Sequence, residues 1–296
     1  EEEKRLLKSV SVHGTEEVTH LISQNATRFA LSPDEQFIAW TERYQAYVMP
    51  FVRSGRSIDI APDGKSLPQS RLSADAGDWL HWSGNSRNLF WSQGPNLHGL
   101  DVGTPGAFAG GKLGAAPLVA ELGVTASHSK PTESIALTGA RIVTMGGDEV
   151  IENGTILIEG DPIAAVGPTA AISYPAGTRT IDLTGKTILP GLIDAHWHGS
   201  MGNELIIPKQ NWFHAAALAY GVTTVHDPSN DTFEIFAASE YQKAGKILGP
   251  RIFSTGTIVY GATRPFTAEI NSLDDARSPL PPLKASGALS VNSHNQ

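Results

Sequence analysis

The chain has 296 residues, no cysteine and a formal net charge of −8. The lack of cysteine excludes disulfides, thiolate zinc sites and a cysteine nucleophile. An acidic balance without any Lys/Arg run speaks against nucleic acid as the main partner, because phosphate contacts need clustered cations. The apolar share of 40% is close to that of ordinary globular chains, and no apolar run reaches the ~18–20 residues that cross a bilayer.

The first residues, "EEEKRLL", carry neither an initiator Met nor a basic-then-apolar leader. Residue 1 therefore reads as an interior point of a longer protein, and localisation is not legible from this end. Residues 1 to about 105 read as short strands joined by turns. "RFALSPDEQFIAWTE" predicts strand, turn, strand, with Pro33 and Asp34 suited to the turn because Pro presets φ and Asp bonds back to nearby backbone. "YQAYVMPF" predicts another strand. About 50 residues later "LHWSGNSRNLFWSQGPNLHGLDV" repeats the theme. Two such units suggest propeller blades, with an ordinary β-sandwich as the alternative. His81, His98, Trp82 and Trp91 lie in these repeats, and core packing is the expectation for all four.

The Gly/Ala-rich "VGTPGAFAGGKLGAA" predicts a connection, and residues 106–130 are taken as a linker. From residue 131 to 189 the pattern is apolar strands separated by Gly-containing turns, with Asn153-Gly154 and Gly160-Asp161 at hairpin positions. This predicts a small β-sandwich. "GDPIAAVG" within it superficially resembles a nucleotide-binding loop, but no helix follows.

After Pro190 strands alternate with helices, which implies a parallel sheet with right-handed crossovers. "GLIDAHWH" is the first strand, "QNWFHAAALAYG" a helix, "VTTVHDPS" the second strand and "DTFEIFAASEYQKAG" a second helix. "RIFSTGTIVYG" is the third strand, and "ALSVNSHNQ" begins a fourth. Pro279, Pro281 and Pro282 fall where the third helix belongs and predict a broken or diverged segment. His196 and His198, two apart on a strand, are expected to project from one face, with Asp194 on that face able to orient an imidazole. Imidazole suits zinc, iron or nickel. The end of the first strand is also where a (β/α) barrel builds its site.

"TGKTILPGLIDAHWH", preceded by "GTILIEGDPIAAVG" and "TIDLTGK" and followed by "GVTTVHDPSND" and "GPRIFSTGTIVYG", resembles the metal-dependent amidohydrolase superfamily, in its imidazolonepropionase/prolidase-like branch. The resemblance covers about residues 131–296, and the strand repeats before it resemble a TolB-like β-propeller. The fold so implied is mixed: propeller-like strands over 1–105, the small β-sandwich, and the first half of a TIM-type barrel over 190–296.

The resemblance implies that His196 and His198 bind a divalent metal, zinc first, with iron, manganese or nickel as alternatives. The metal activates water for attack on a carbonyl of a small amide or peptide. In the family a fourth-strand lysine bridges metals, but this chain has Asn292 where that residue is expected. His294 shares a face with Asn292 and is a substitute ligand candidate. Later histidines and the catalytic aspartate are expected beyond residue 296, so the chain as given is not expected to be competent alone. His226 and Asp227, at the end of the second strand, are candidates for a supporting or substrate role, against a turn role for Asp227-Pro228-Ser229. Glu204 reads as a solvated loop acid. Family members with this domain pairing are often exported, which implies a periplasmic or extracytoplasmic location. A second reading stays open: a non-catalytic remnant whose propeller strands bind a protein partner. Oligomeric state is not legible.

Overall fold

The computed structural model describes residues 4–73, 77–103, 108, 111–112, 117–203, 205–260, 267–269, 272–277 and 279–294. They fall into two compact units. One comprises Glu1–Thr125, Ser229–Thr232 and Thr255–Gln296; the other comprises Ala126–Pro228 and Phe233–Ser254.

The first unit is mostly antiparallel sheet. β1 (Arg5–Ser9) pairs with β2 (Val18–Ser23), which also runs parallel to the short β6 (Ile58–Asp59). A second sheet has β3 (Ala26–Leu31), β4 (Phe37–Glu42), β5 (Gln45–Pro50), β7 (Ser70–Arg71) and β11 (Gly111–Lys112) in that spatial order. A third orders β8 (Asp78–Trp82), β9 (Asn88–Gln93), β10 (Asn96–Asp101) and β12 (Leu118–Glu121). Ala39, Val48, Leu80, Trp82, Leu89 and Trp91, contributed by the second and third sheets, form one buried cluster. The Trp82 indole N–H donates to the Ala30 carbonyl at 2.9 Å, so this large side chain is buried with its polar atom paired.

The repeat legible in the sequence has an atomic counterpart. Ser32 Oγ donates to Asp34 Oδ1 at 2.6 Å and accepts the Phe37 amide at 2.9 Å. Ser83 Oγ donates to Asn85 Oδ1 at 2.7 Å and accepts the Asn88 amide at 2.9 Å. In each turn the Asp or Asn oxygen also accepts an amide two residues on, from Gln36 and Arg87, at 3.1 Å. These self-bonded turns fix where β3 hands over to β4 and β8 to β9. The expectation of core packing fails for His81, which is exposed on a strand whose neighbours Leu80 and Trp82 are buried. Alternation forces that outcome. His98 is half-buried and stacks on Trp91 with ring centroids 6.1 Å apart.

In the second unit β13 (Ser134–Val143), β14 (Val150–Glu159), β15 (Ile163–Pro168) and β16 (Arg179–Asp182) make one sheet, with β17 (Thr187–Ile188) parallel to the far part of β13. Ala140, Ile142 and Ile156 form its core. Gly154 lies against Ile142, and a Cβ there would collide with that side chain. The chain then enters a parallel sheet of β18 (Leu192–Asp194), β19 (Val222–Asp227) and β20 (Arg251–Ser254). Helices α1 (Trp212–Ala219) and α2 (Thr232–Lys243) occupy the two crossovers. Ser129 and Ala244 join the start of this unit to the end of α2 through a 2.8 Å backbone bond.

The remaining elements belong to the first unit. β21 (Ile258–Tyr260) runs parallel to both β22 (Thr267–Glu269) and the two-residue β23 (Ser293–His294). The strand expected fourth in the β/α series therefore pairs with β21 and not with β20. Gly256, at φ 65°, turns the chain between β20 and β21, and the Thr257 amide donates to Thr232 Oγ1 at 3.0 Å. The proline-rich stretch forms two short helices, α3 (Leu273–Arg277) and α4 (Leu280–Ser286). Pro281 and Pro282 do not break α4, because they sit in its first turn, where amide hydrogens have no intrahelical acceptor.

Candidate metal centre

β18 stops at Asp194, so His196 and His198 lie in the turn beyond it and not on the strand. Strand alternation therefore does not bring them together; the turn does. Asp194 Oδ1 accepts the His196 backbone N–H at 3.0 Å, a side chain-to-backbone bond two residues on that tightens the chain just past the strand. Asp194 thus engages the backbone of His196 and not its ring. The Trp197 amide donates to the His226 carbonyl at 3.0 Å, which stitches this turn to the end of β19. A Cβ at Gly199 would collide with the Trp197 indole, so the close approach there requires glycine.

With the backbone so held, the two imidazoles are neighbours, centroids 4.8 Å apart and planes at 62°. Both residues are exposed. On the adjoining strand His226 is half-buried opposite Phe253, and Asp227 is fully buried opposite Ser254. Asn292 and His294 belong to the first unit. There the Asn292 carbonyl accepts the Val259 amide at 3.0 Å, and His294 pairs with Tyr260 in the β23–β21 ladder. Glu204 lies outside the described residues.

Among the described residues no group of three or more His, Asp or Glu side chains is arranged to hold a metal ion. The geometry offers two imidazoles side by side, a donor pair that suits zinc, iron or nickel. It falls short of the three or four protein ligands of established zinc sites. A cavity of about 790 Å³, lined in part by Tyr47, Lys65 and Arg71, belongs to the first unit and contains none of the predicted site residues.

One residue near the turn was invisible to sequence reasoning. His214 sits in the first turn of α1, read only as part of an Ala-rich helix, and is fully buried. Its Nε2 lies 3.2 Å from Met201 Sδ, and its Nδ1 is buried with no hydrogen-bond partner among the described residues. Burial alone pushes the imidazole pKa below its ordinary value. A lone histidine at a helical position carries no sequence signal that separates this role from a surface one.

No family model matches the chain. Over 106 residues it is 34% identical to an adenine deaminase of Paracoccus denitrificans, a segment covering 36% of this chain and 17% of that protein. Over 72 residues it is 46% identical to an imidazolonepropionase of Roseobacter denitrificans, covering 23% of this chain and 18% of that protein. The chain thus spans less than a fifth of the length of these curated relatives. Among solved structures, a prolidase complexed with N-methylphosphonate-L-proline gives a TM-score of 0.44 at 20% identity, covering 54% of this chain and 46% of that one. A molinate hydrolase gives 0.38 at 27% identity, covering 53% and 39%. Scores this low leave the weight on the sequence relatives, and these support the amidohydrolase superfamily for the segment of the chain that they cover.

Proposed function

We propose that the chain carries the first metal-binding half-site of a metal-dependent hydrolase acting on C–N bonds of small amides, cyclic amides or dipeptides. The observation that carries this reading is the pair of imidazoles 4.8 Å apart in the turn directly after the first strand of a parallel β/α series. The C–N class is supported by sequence relatives that are deaminases and imidazolonepropionases.

His196 and His198 would hold a divalent ion, zinc first, with iron, manganese or nickel as alternatives. The chemistry such an ion supplies is polarisation of a carbonyl and activation of water near neutral pH. Asp194 fixes the backbone of His196, and the Trp197–His226 backbone bond ties the turn to β19. His226 and Asp227, at the end of that strand, are the residues proposed to face substrate or support the ligands. The matched Ser32 and Ser83 turns support reading the N-terminal sheets as blades of a TolB-like propeller, with a protein-binding role and an extracytoplasmic location for a longer protein. Cell fractionation tests the last point, and recovery in the cytoplasm alone would count against it.

The test is Zn²⁺ and Co²⁺ titration of this chain and of a longer protein containing it. His196→Ala and His198→Ala are each expected to weaken binding at least ~10-fold. Unchanged affinity in the double variant would sink the reading. The two-ligand set among the described residues favours one rival, a non-catalytic remnant that uses the N-terminal sheets for binding. Metal-dependent amide hydrolysis by the longer protein would eliminate that rival.

A further inference from the structure

The segment after the histidine turn is held by α1 at two points. Asn211, the N-cap of α1, accepts the Phe213 amide at 2.9 Å and donates through Nδ2 to the Ser200 carbonyl at 2.7 Å. One turn on, His214 meets Met201, which is 1% exposed. The third wall is Gly249, where a Cβ would lie 2.8 Å from His214 Nδ1. The imidazole is thus enclosed by α1, by the segment 199–203 and by the approach to β20.

This enclosure has a defined protonation state. Met201 Sδ can accept a hydrogen bond but cannot donate one. A proton on Nε2 therefore has an acceptor, whereas a proton on Nδ1 has none among the described residues. The neutral Nε2–H tautomer is the one that fits. A second proton would place a buried cation on Nδ1 facing no acceptor, a costly state. No compensating charge is at hand on the enclosing segments. Residues 199–203, α1 and 247–250 contain no Asp, Glu, Lys or Arg; the carboxylate packed against the segment is that of Glu234 on α2, which lies against Gly202 and accepts the Leu205 amide at 3.0 Å, while Lys209, Lys246 and Arg251 are exposed.

We infer that His214 is an acid-sensitive positioning residue that holds Gly199–Asn203, and through them the histidine turn, only while it is neutral. Below the ordinary imidazole pKa of 6.5 the unlatched state takes up the proton and is favoured, so the segment releases as pH falls. The bearing on metal ligands rests on the proposed metal site; the latch does not.

The test is hydrogen exchange of the metal-free chain between pH 8 and 5.5, corrected for the intrinsic pH dependence of amide exchange. Protection of residues 199–203 is expected to fall roughly tenfold across this range, while protection of the β13–β14 hairpin stays constant. His214→Gln, which keeps an N–H donor but does not titrate, is expected to flatten the profile. A flat wild-type profile would overturn the inference, as would a parallel fall in the Gln variant. Should that variant not fold, the imidazole NMR titration of the wild type decides: a His214 midpoint at or above 6.5 refutes the latch. Since no metal is present, failure here is distinct from failure of the metal-site reading.

Discussion

Asp78→Asn is expected to stabilise the first unit at neutral pH and to have little effect in acid. Asp78 begins β8 and is half-buried. Its pKa is raised from the ordinary 3.8 to about 6, first by burial and then by the Asp231 carboxylate, with Arg28 opposing. In the unfolded chain the carboxyl titrates near its ordinary value. Because the folded value is the higher one, the fold gains fully from the proton below pH 3.8 and loses that gain as pH rises through about 6. At ~1.4 kcal/mol per tenfold change in proton affinity, the ionised group costs the fold at most about 3 kcal/mol at pH 7.5; partial solvent access reduces this to about 1–2 kcal/mol. Asparagine keeps the shape and removes the charge. Urea unfolding followed by tryptophan emission suits the measurement, because Trp40, Trp79, Trp82 and Trp91 all lie in this unit. A gain of about 1–2 kcal/mol at pH 7.5 that vanishes by pH 4 is the expected result. A variant less stable than wild type at pH 7.5, or a difference that ignores pH, would refute the reasoning.

Three further sets of substitutions test the packing and the repeat. Trp91→Ala, at a side chain 2% exposed within the main cluster, should cost about 3–5 kcal/mol in the same assay, and Trp91→Phe markedly less. Gly154→Ala should destabilise the second unit by about 1–3 kcal/mol through its collision with Ile142. The double variant with Ile142→Ala should lose less than the sum of the two single losses, and strict additivity would argue against the contact. Ser32→Ala and Ser83→Ala each delete the same pair of turn hydrogen bonds and should cost equal amounts, about 1–2 kcal/mol each. A difference above about 1 kcal/mol would show that the two turns are not energetic equivalents.

Much of the local structure was legible because it depends on neighbours in sequence. The Ser-Pro-Asp and Ser-Gly-Asn turns bond to their own backbone, so residue types two to five positions apart suffice to place them. Strand–helix alternation after Pro190 likewise announced the parallel order of β18, β19 and β20. Reasoning by alternation was less secure. It placed the histidines on a strand that ends two residues too early, and His81, expected in the core, takes the exposed face of β8. Pro279, Pro281 and Pro282 were read as marking a broken or diverged helix, and two short helices stand there; that Pro281 and Pro282 sit in the first turn of the second was not legible without its boundary.

The sequence by itself determined the candidate ligands His196 and His198, the superfamily resemblance, the hairpin turns and the β/α rhythm, since each is written in residues close together along the chain. Only the tertiary structure decided that a carboxylate–amide bond, and not strand pleating, brings the two imidazoles side by side. It likewise decided that β23 joins β21, that Asp78 is lifted by burial and then by a carboxylate distant in sequence, and that His214 meets Met201. Those outcomes depend on burial and on groups far apart in sequence, which no local pattern encodes.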